Sequence, residues 1–217
     1  MNCTIIPTQD KIVKTIDALK NNGFDVWFVQ NTLEAEEVFF EEIFNSLVPK
    51  VISWGDSLTL HATKILEKIK LMPEIKVINT FHEGLSWREQ IENRKKALHC
   101  DLFLTGTNAI TEKGQLINLD MIGNRVAGIA FGPRKVVILV GVNKIVEGLD
   151  DAMTRIKSHA APLNAKRHPE LVVPCQKDGK CIDCNSPKRL CNIWTITEKS
   201  YPVGRITIVL INQSLGY

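Results

Sequence analysis

The chain has 217 residues, 44% of them hydrophobic, with a formal net charge of +3 and six cysteines. That length and apolar fraction suit one well-packed globular domain, and the longest basic run, Arg94 to Lys96, makes neither a charged stripe nor an aromatic-rich motif for nucleic acid. Charges from Asp10 onward argue against a leader peptide, and no stretch approaches the roughly 20 apolar residues of a membrane span, so a cytoplasmic location is expected.

In chain order, Ile12, Val13, Ile16 and Leu19 fall on one face of a helix over residues 9–22, with Thr8 as its cap and Gly23 past its end. FDVWFV then reads as a strand. Asn31 and Glu34 have capping-box spacing and open a second helix through Leu47, and KVISW is a short buried strand. A helix from Ser57 to Leu71, a strand at 76–79, a helix opened by Ser86 with Glu89 three residues on, and a strand at 101–105 follow. After the polar run TGTNAITEKGQLINLDMIGNRVA, QLINL and VAGIAF suggest a local hairpin or an extra pair of strands. KVVILVG restores a buried strand, a helix spans 148–159, and GRITIVLI is the last strand. Strands alternating with helices of about 10–15 residues predict an α/β fold, a largely parallel sheet with helices on both faces in three layers. A single domain, 1–217, is expected, with 162–193 a Cys-rich appendage within it.

In such sheets ligands bind beyond the carboxyl ends of strands, and three of those ends are polar and glycine-bearing. In SWGDSLTL, Gly55 allows a tight turn, while Asp56, Ser57 and Thr59 open a helix whose free amides favour an anion; a plain helix cap accounts for the same residues. Thr105, Gly106, Thr107 and Asn108 form the second end. Glu112 offers a carboxylate, and Asn118, Asp120, Asn124 and Arg125 return to the same edge if Gly114 turns the chain. Turn chemistry accounts for Lys113 and Gly114 but not for the hydroxyls and carboxamides around them. In VGVNKIVEGL, Asn143 is a candidate donor and Lys144 a candidate anion partner, against the ordinary case of a solvated lysine. Three such ends on one sheet edge would face a common crevice.

Cys3 and Cys100 are isolated, whereas Cys175, Cys181, Cys184 and Cys191 fall within PCQKDGKCIDCNSPKRLC. In a reducing compartment this clustering points to metal rather than to a disulfide framework. The central C-x2-C pair suits zinc or iron–sulfur ligation, and four thiolates serve either equally; inert, redox-active or oxidised thiols are the alternatives. Neighbouring lysines and Arg189 favour the thiolate form. The histidines show no Ser-His-Asp order and no metal-protease spacing. No nucleotide cofactor is expected.

These segments, above all FLTGTNAITEKGQLINLDMIGNRVAGIAFGPRKVVILVGVNKIV, AAPLNAKRH and GKCIDCNSPKRLCN, closely resemble the lactate-utilization (LUD) domain family along nearly the whole chain. The resemblance implies a fold similar to the sugar-isomerase and CoA-transferase-like superfamily and a link to bacterial L-lactate oxidation through a multiprotein iron–sulfur system. More distantly, GTNAITEKGQLIN is similar to a loop of methylthioribose-phosphate isomerases in which an Asp moves protons. Here Asn108 stands at that position, and a carboxamide cannot act as that acid or base. CoA transferases of this fold use a glutamate nucleophile, and Glu112 is near in sequence. Members acting in the oxidase complex often lack the cysteine cluster, which sets this chain in a separate subgroup.

The expected function is binding of a small anionic metabolite, a 2-hydroxy acid or phosphorylated compound, in the three-loop crevice. One alternative is an iron–sulfur or zinc-bearing accessory subunit docking on an oxidase-system partner. Another is an isomerase or acyl-transfer enzyme using Asp56, Glu112 or Asp120. A homodimer is compatible with any of these; nucleic acid and membrane partners are not expected.

Overall fold

A computed structural model describes residues 6–82 and 84–217, so Cys3 lies outside the described residues. The strands are β1 (Asp25–Val29), β2 (Val51–Trp54), β3 (Lys76–Ile78), β4 (Leu102–Thr105), β5 (Ala109–Thr111), β6 (Leu116–Asp120), β7 (Lys135–Gly141), β8 (Ile145–Val146), β9 (Ile193–Thr197) and β10 (Ile206–Ile211). The helices are α1 (Gln9–Asn21), α2 (Thr32–Val38), α3 (Asn45–Leu47), α4 (Leu58–His61), α5 (Ile65–Lys70), α6 (Trp87–Ala97), α7 (Asn124–Ala130), α8 (Leu149–Arg155), α9 (Ala161–Lys166) and α10 (Pro174–Asp178).

Six strands pair in parallel in the order β1-β10-β7-β4-β2-β3. The central strands β7 and β10 are apolar almost without interruption because both faces of the sheet are covered. Val136, Ile138 and Val140 face one core with Ile12 and Leu19 of α1 and Ile129 of α7. Val137 and Leu139 face the other with Ala35 of α2, Leu60 of α4 and Ile65 of α5. That period of two divides one strand between two layers, and the expected α/β architecture with helices on both faces is the one present.

From β2 the chain crosses outward to β3, whereas β4 lies on the opposite side of β2 and leads on to β7 and β10. The connections leave these two neighbours in opposite directions, which opens a crevice past their carboxyl ends. A second sheet, β8-β5-β6-β9, stands over that edge: β5 follows β4 directly, and β8 follows β7. β5 and β6 form an antiparallel hairpin turned at Gly114 (φ +74°), and β9 pairs antiparallel with β6. Ala109, Ile117 and Leu119 pack on Ala152 and Ile156 to give this sheet its own small core.

Three local expectations change. VAGIAF lies mostly in a helix, α7, rather than a strand: Gly123 reverses the chain at φ +86°, and Asp120 accepts the first free amides, from Arg125 and Val126. The helix expected over 57–71 divides into α4 and α5, and the Thr63 hydroxyl donates to the Leu60 carbonyl at the break. Thr8 precedes α1 without a side-chain cap bond, while Ser86 and Glu89 make the full reciprocal capping box. Residues 162–193 begin within α9, include α10, and end where β9 joins the second sheet. Among the described residues no helix is long and apolar enough to cross a membrane.

Candidate functional site

A cleft of about 240 Å³ occupies the crevice. Asp56 and Ser57 line it from the end of β2, Gly106, Thr107 and Asn108 from the end of β4, and Lys144 from the turn after β7. Asp120, Asn124 and Arg125 add a fourth wall where β6 passes into α7. The three strand ends singled out by their polarity therefore meet, and the hairpin brings the later part of the same polar run back to them.

Arg125 binds this corner together. Its guanidinium donates to Asp120 Oδ1 (3.0 Å), the Gly106 carbonyl (3.1 Å), Asn118 Oδ1 (2.6 Å), Asn108 Oδ1 (2.8 Å) and the Leu119 carbonyl (3.2 Å). With its donors committed to the protein, Arg125 positions the loop rather than waiting for a ligand. Asn108 Oδ1 also accepts from the Leu119 amide (3.0 Å), so only its Nδ2 is left to face the cleft. The arginine that fixes the Asn108 carboxamide thus leaves it a donor, not a proton carrier.

Lys144 is 5% exposed, and its Nζ donates to Thr59 Oγ1 (3.2 Å) and the Thr107 carbonyl (3.3 Å). Among the described residues it has no carboxylate within ion-pair distance. Burial, then the charges of Arg155 and Arg125, lower its pKa to about 7. Arg155 donates to the Asn108 carbonyl (2.9 Å) and lies behind the loop. Asp56 is pulled the other way: burial pushes its pKa up, but the hydrogen bond from His61 (3.1 Å) and the charge and hydrogen bond of Arg167 (3.0 Å) outweigh this and hold it at about 2.

Other candidates lie outside the cleft. Glu112 is paired with Lys11 (3.0 Å) and Lys14 (2.8 Å) of α1, which keep its carboxyl below the usual range. Asn143 accepts from the Leu215 amide (3.1 Å), and Thr59 donates to the Leu215 carbonyl (3.2 Å), so both hold the final segment in place. Gly55 sits under Arg125 and Thr105, where an added Cβ would lie 2.8 Å and 2.9 Å from their side chains. Thr105 Oγ1 and Asn118 Nδ2 are buried without partners among the described residues.

The sequence reading missed Arg94. It comes from α6, stacks on Trp87 at 5.5 Å and lines the cleft, with Nε and Nη1 buried and unpartnered among the described residues. The signal was available: Trp87, Gln90 and Arg94 recur at one-turn spacing on one helical face. Phe81, Trp87 and Ile122 give the mouth an apolar rim.

Behind the cleft, the half-buried Cys175, Cys181, Cys184 and Cys191 line one partly open pocket of about 20 Å³. Arg189 Nε donates to Cys191 Sγ (3.2 Å), and the Asp183 amide donates to Cys181 Sγ (3.4 Å). Burial and the three neighbouring thiols raise the pKa of Cys175. Among the described residues no group of three or more His, Cys, Asp or Glu side chains is placed to hold a metal ion.

Parallel strands with helices on both faces and a cleft at their switch point define an α/β protein of the open-sheet kind. The LUD domain family matches residues 12–211, and the chain belongs to that family, a lactate-utilization-type protein. A DUF162 family protein from Deinococcus radiodurans is similar in fold, with a TM-score of 0.53 and 14% identity over 95% of this chain and 100% of that one. No curated protein matches the sequence.

Proposed function

We propose that this LUD-domain protein binds a small anionic metabolite, a 2-hydroxy acid or a phosphorylated compound, in the cleft at the switch point. The observation that carries this is a buried lysine with no carboxylate partner among the described residues, on a cleft that Arg94 also lines. A buried cation normally acquires a counter-charge, and an anionic ligand would supply the one that Lys144 lacks among the described residues. Asn108 Nδ2 and the Ser57 hydroxyl supply neutral donors alongside. The cleft, at about 240 Å³, lies below the usual range for ligand pockets, about 300–1,000 Å³, which favours a compact metabolite.

Acid–base or acyl-transfer chemistry finds less support. Asp56 is held ionised by His61 and Arg167, Glu112 belongs to α1 and its lysines, and Asp120 is engaged by Arg125 and two amides. Thermal denaturation with L-lactate or inorganic phosphate tests the binding reading. The wild-type chain is expected to melt higher with at least one of them, and Lys144→Met and Arg94→Gln are expected to lose most of that increment while remaining folded. An increment unchanged in both variants would overturn the reading.

A further inference from the structure

Two acceptors surround the Lys144 amine, Thr59 Oγ1 at 3.2 Å and the Thr107 carbonyl at 3.3 Å. The Thr59 hydroxyl donates its own hydrogen to the Leu215 carbonyl (3.2 Å), so towards Lys144 it can only accept. An ammonium has three hydrogens to place, and a neutral amine has two. The two acceptors therefore satisfy the neutral amine in full, whereas the third hydrogen of the ammonium has no acceptor among the described residues. The surroundings favour the same form. Lys144 is buried with no carboxylate within ion-pair distance among the described residues, and burial with the like charges of Arg155 and Arg125 brings its pKa to about 7. A neutral amine whose hydrogens are both held keeps its lone pair unused, and this one lines the cleft. Desolvated lysines beside other cations are nucleophiles towards carbonyl carbon.

We propose that Lys144 forms an imine with a short 2-oxo acid held in the cleft. The lone pair of Nζ adds to the C2 carbonyl carbon, and one amine hydrogen passes to the carbonyl oxygen to give a carbinolamine. Its C–O bond then breaks, and the second amine hydrogen leaves with the hydroxyl as water. An amine and a ketone thus become an imine and water, with no oxidant or reductant.

The neighbouring groups suit the rest of such a molecule. The Leu60 amide donates to Ser57 Oγ (3.3 Å), which leaves the Ser57 hydroxyl hydrogen for the carbonyl oxygen. Asn108, whose Oδ1 is taken by Arg125 and the Leu119 amide, has Nδ2 for the carboxylate, and Arg94 lines the same space. The nitrogen is also held in place: Thr59 belongs to α4, which follows β2, and Thr107 follows β4, so two strand ends fix the nucleophile before the acid arrives. The proposal rests on the cleft reading for the seat of the carboxylate, and adds that the ligand carries a carbonyl at C2 where a 2-hydroxy acid has a hydroxyl.

The test is sodium borohydride reduction of the full-length protein with pyruvate or glyoxylate present, read by intact mass and peptide mapping. Reduction converts the imine to a stable secondary amine. One adduct per chain, on Lys144, is the expected result, with none from L-lactate, which has no carbonyl. Lys144→Met should lose the adduct, and because mapping locates it in the wild-type chain, the answer does not depend on that variant's folding. Absence of an adduct with both acids, or labelling of exposed lysines while Lys144 stays unmodified, overturns the proposal. A thermal increment with L-lactate or phosphate but no adduct leaves the cleft reading standing without the imine, and an adduct without either increment does the reverse, so the two fail separately.

Discussion

At the scale of single residues, the two cations of the polar corner do opposite work. Lys144 has donors to spare and Arg125 has none, and their variants should separate accordingly. The pKa of Lys144 is lowered from 10.5 to about 7, so the unfolded chain holds that proton more tightly than the folded one. The penalty of burying its charge is therefore full below about pH 7 and is relieved as pH rises towards 10.5. Lys144→Met should raise the thermal midpoint below neutrality and lose that advantage in alkaline solution, by an amount on the order of a few kcal/mol. Anion affinity of the wild-type chain should run the other way and weaken as pH rises through about 7, since Arg155, Arg125, Thr59 and the Thr107 carbonyl face this amine without an acid among them. Titration calorimetry between weakly acidic and alkaline pH checks the sign. A flat profile would remove Lys144 from the binding account.

Arg125→Ala strips the guanidinium from Asp120 and leaves a carboxylate that is only 8% exposed, so a loss of about 3–5 kcal/mol in denaturant unfolding is expected. Arg125→Lys should recover little of it, because one ammonium cannot reproduce donations to five separate acceptors. Recovery by lysine would show that charge alone, rather than the planar fork, holds the loop.

Among the secondary-structure elements, α7 is where the sequence misled and where the reason is plainest. VAGIAF is apolar and β-branched enough for a strand, yet Asp120 caps its start and Gly128 lets it lie flat on β4. An alanine Cβ at Gly128 would stand 2.7 Å from the Phe103 ring, so Gly128→Ala should push α7 off the sheet at a cost of about 1–3 kcal/mol. Because Arg125 is in the first turn of the same helix, anion affinity should fall along with stability, which parallel melting and binding curves would reveal; a variant as stable as wild type would deny the contact its importance.

The elements also mark what was legible in the sequence. β4, β7 and β10 were readable because burial on both faces writes itself as an apolar run, and the hydroxyls and carboxamides just after β4 stood out because packing gives no reason for them. Glu112 was misplaced because the hairpin turn carries it back over α1, a register that polarity does not encode. Arg94 was missed because it reaches the cleft from a helix remote in sequence, and β9 because its partner β6 lies far upstream.

Across the whole molecule, the cleft is closed by the segment that leaves the last strand. After β10 the chain turns back, Leu215 is pinned on one side by Asn143 and on the other by Thr59, and Tyr217 reaches the cleft wall. At Gly216 an added Cβ would lie 3.2 Å from Lys144 Nζ, which shows how closely this segment covers the amine. The low dielectric that depresses the lysine is thus partly the work of three residues distant from it in sequence. Deleting 215–217 should hydrate Lys144, move the pH midpoint of anion binding upward from about 7 towards the ordinary lysine value, and weaken affinity at neutral pH as water screens the charge. The two effects separate the explanations. A segment that merely stabilises the fold would lower affinity at every pH and leave the midpoint where it was. Weaker binding with an upward-shifted midpoint identifies the segment as the cover that tunes the lysine.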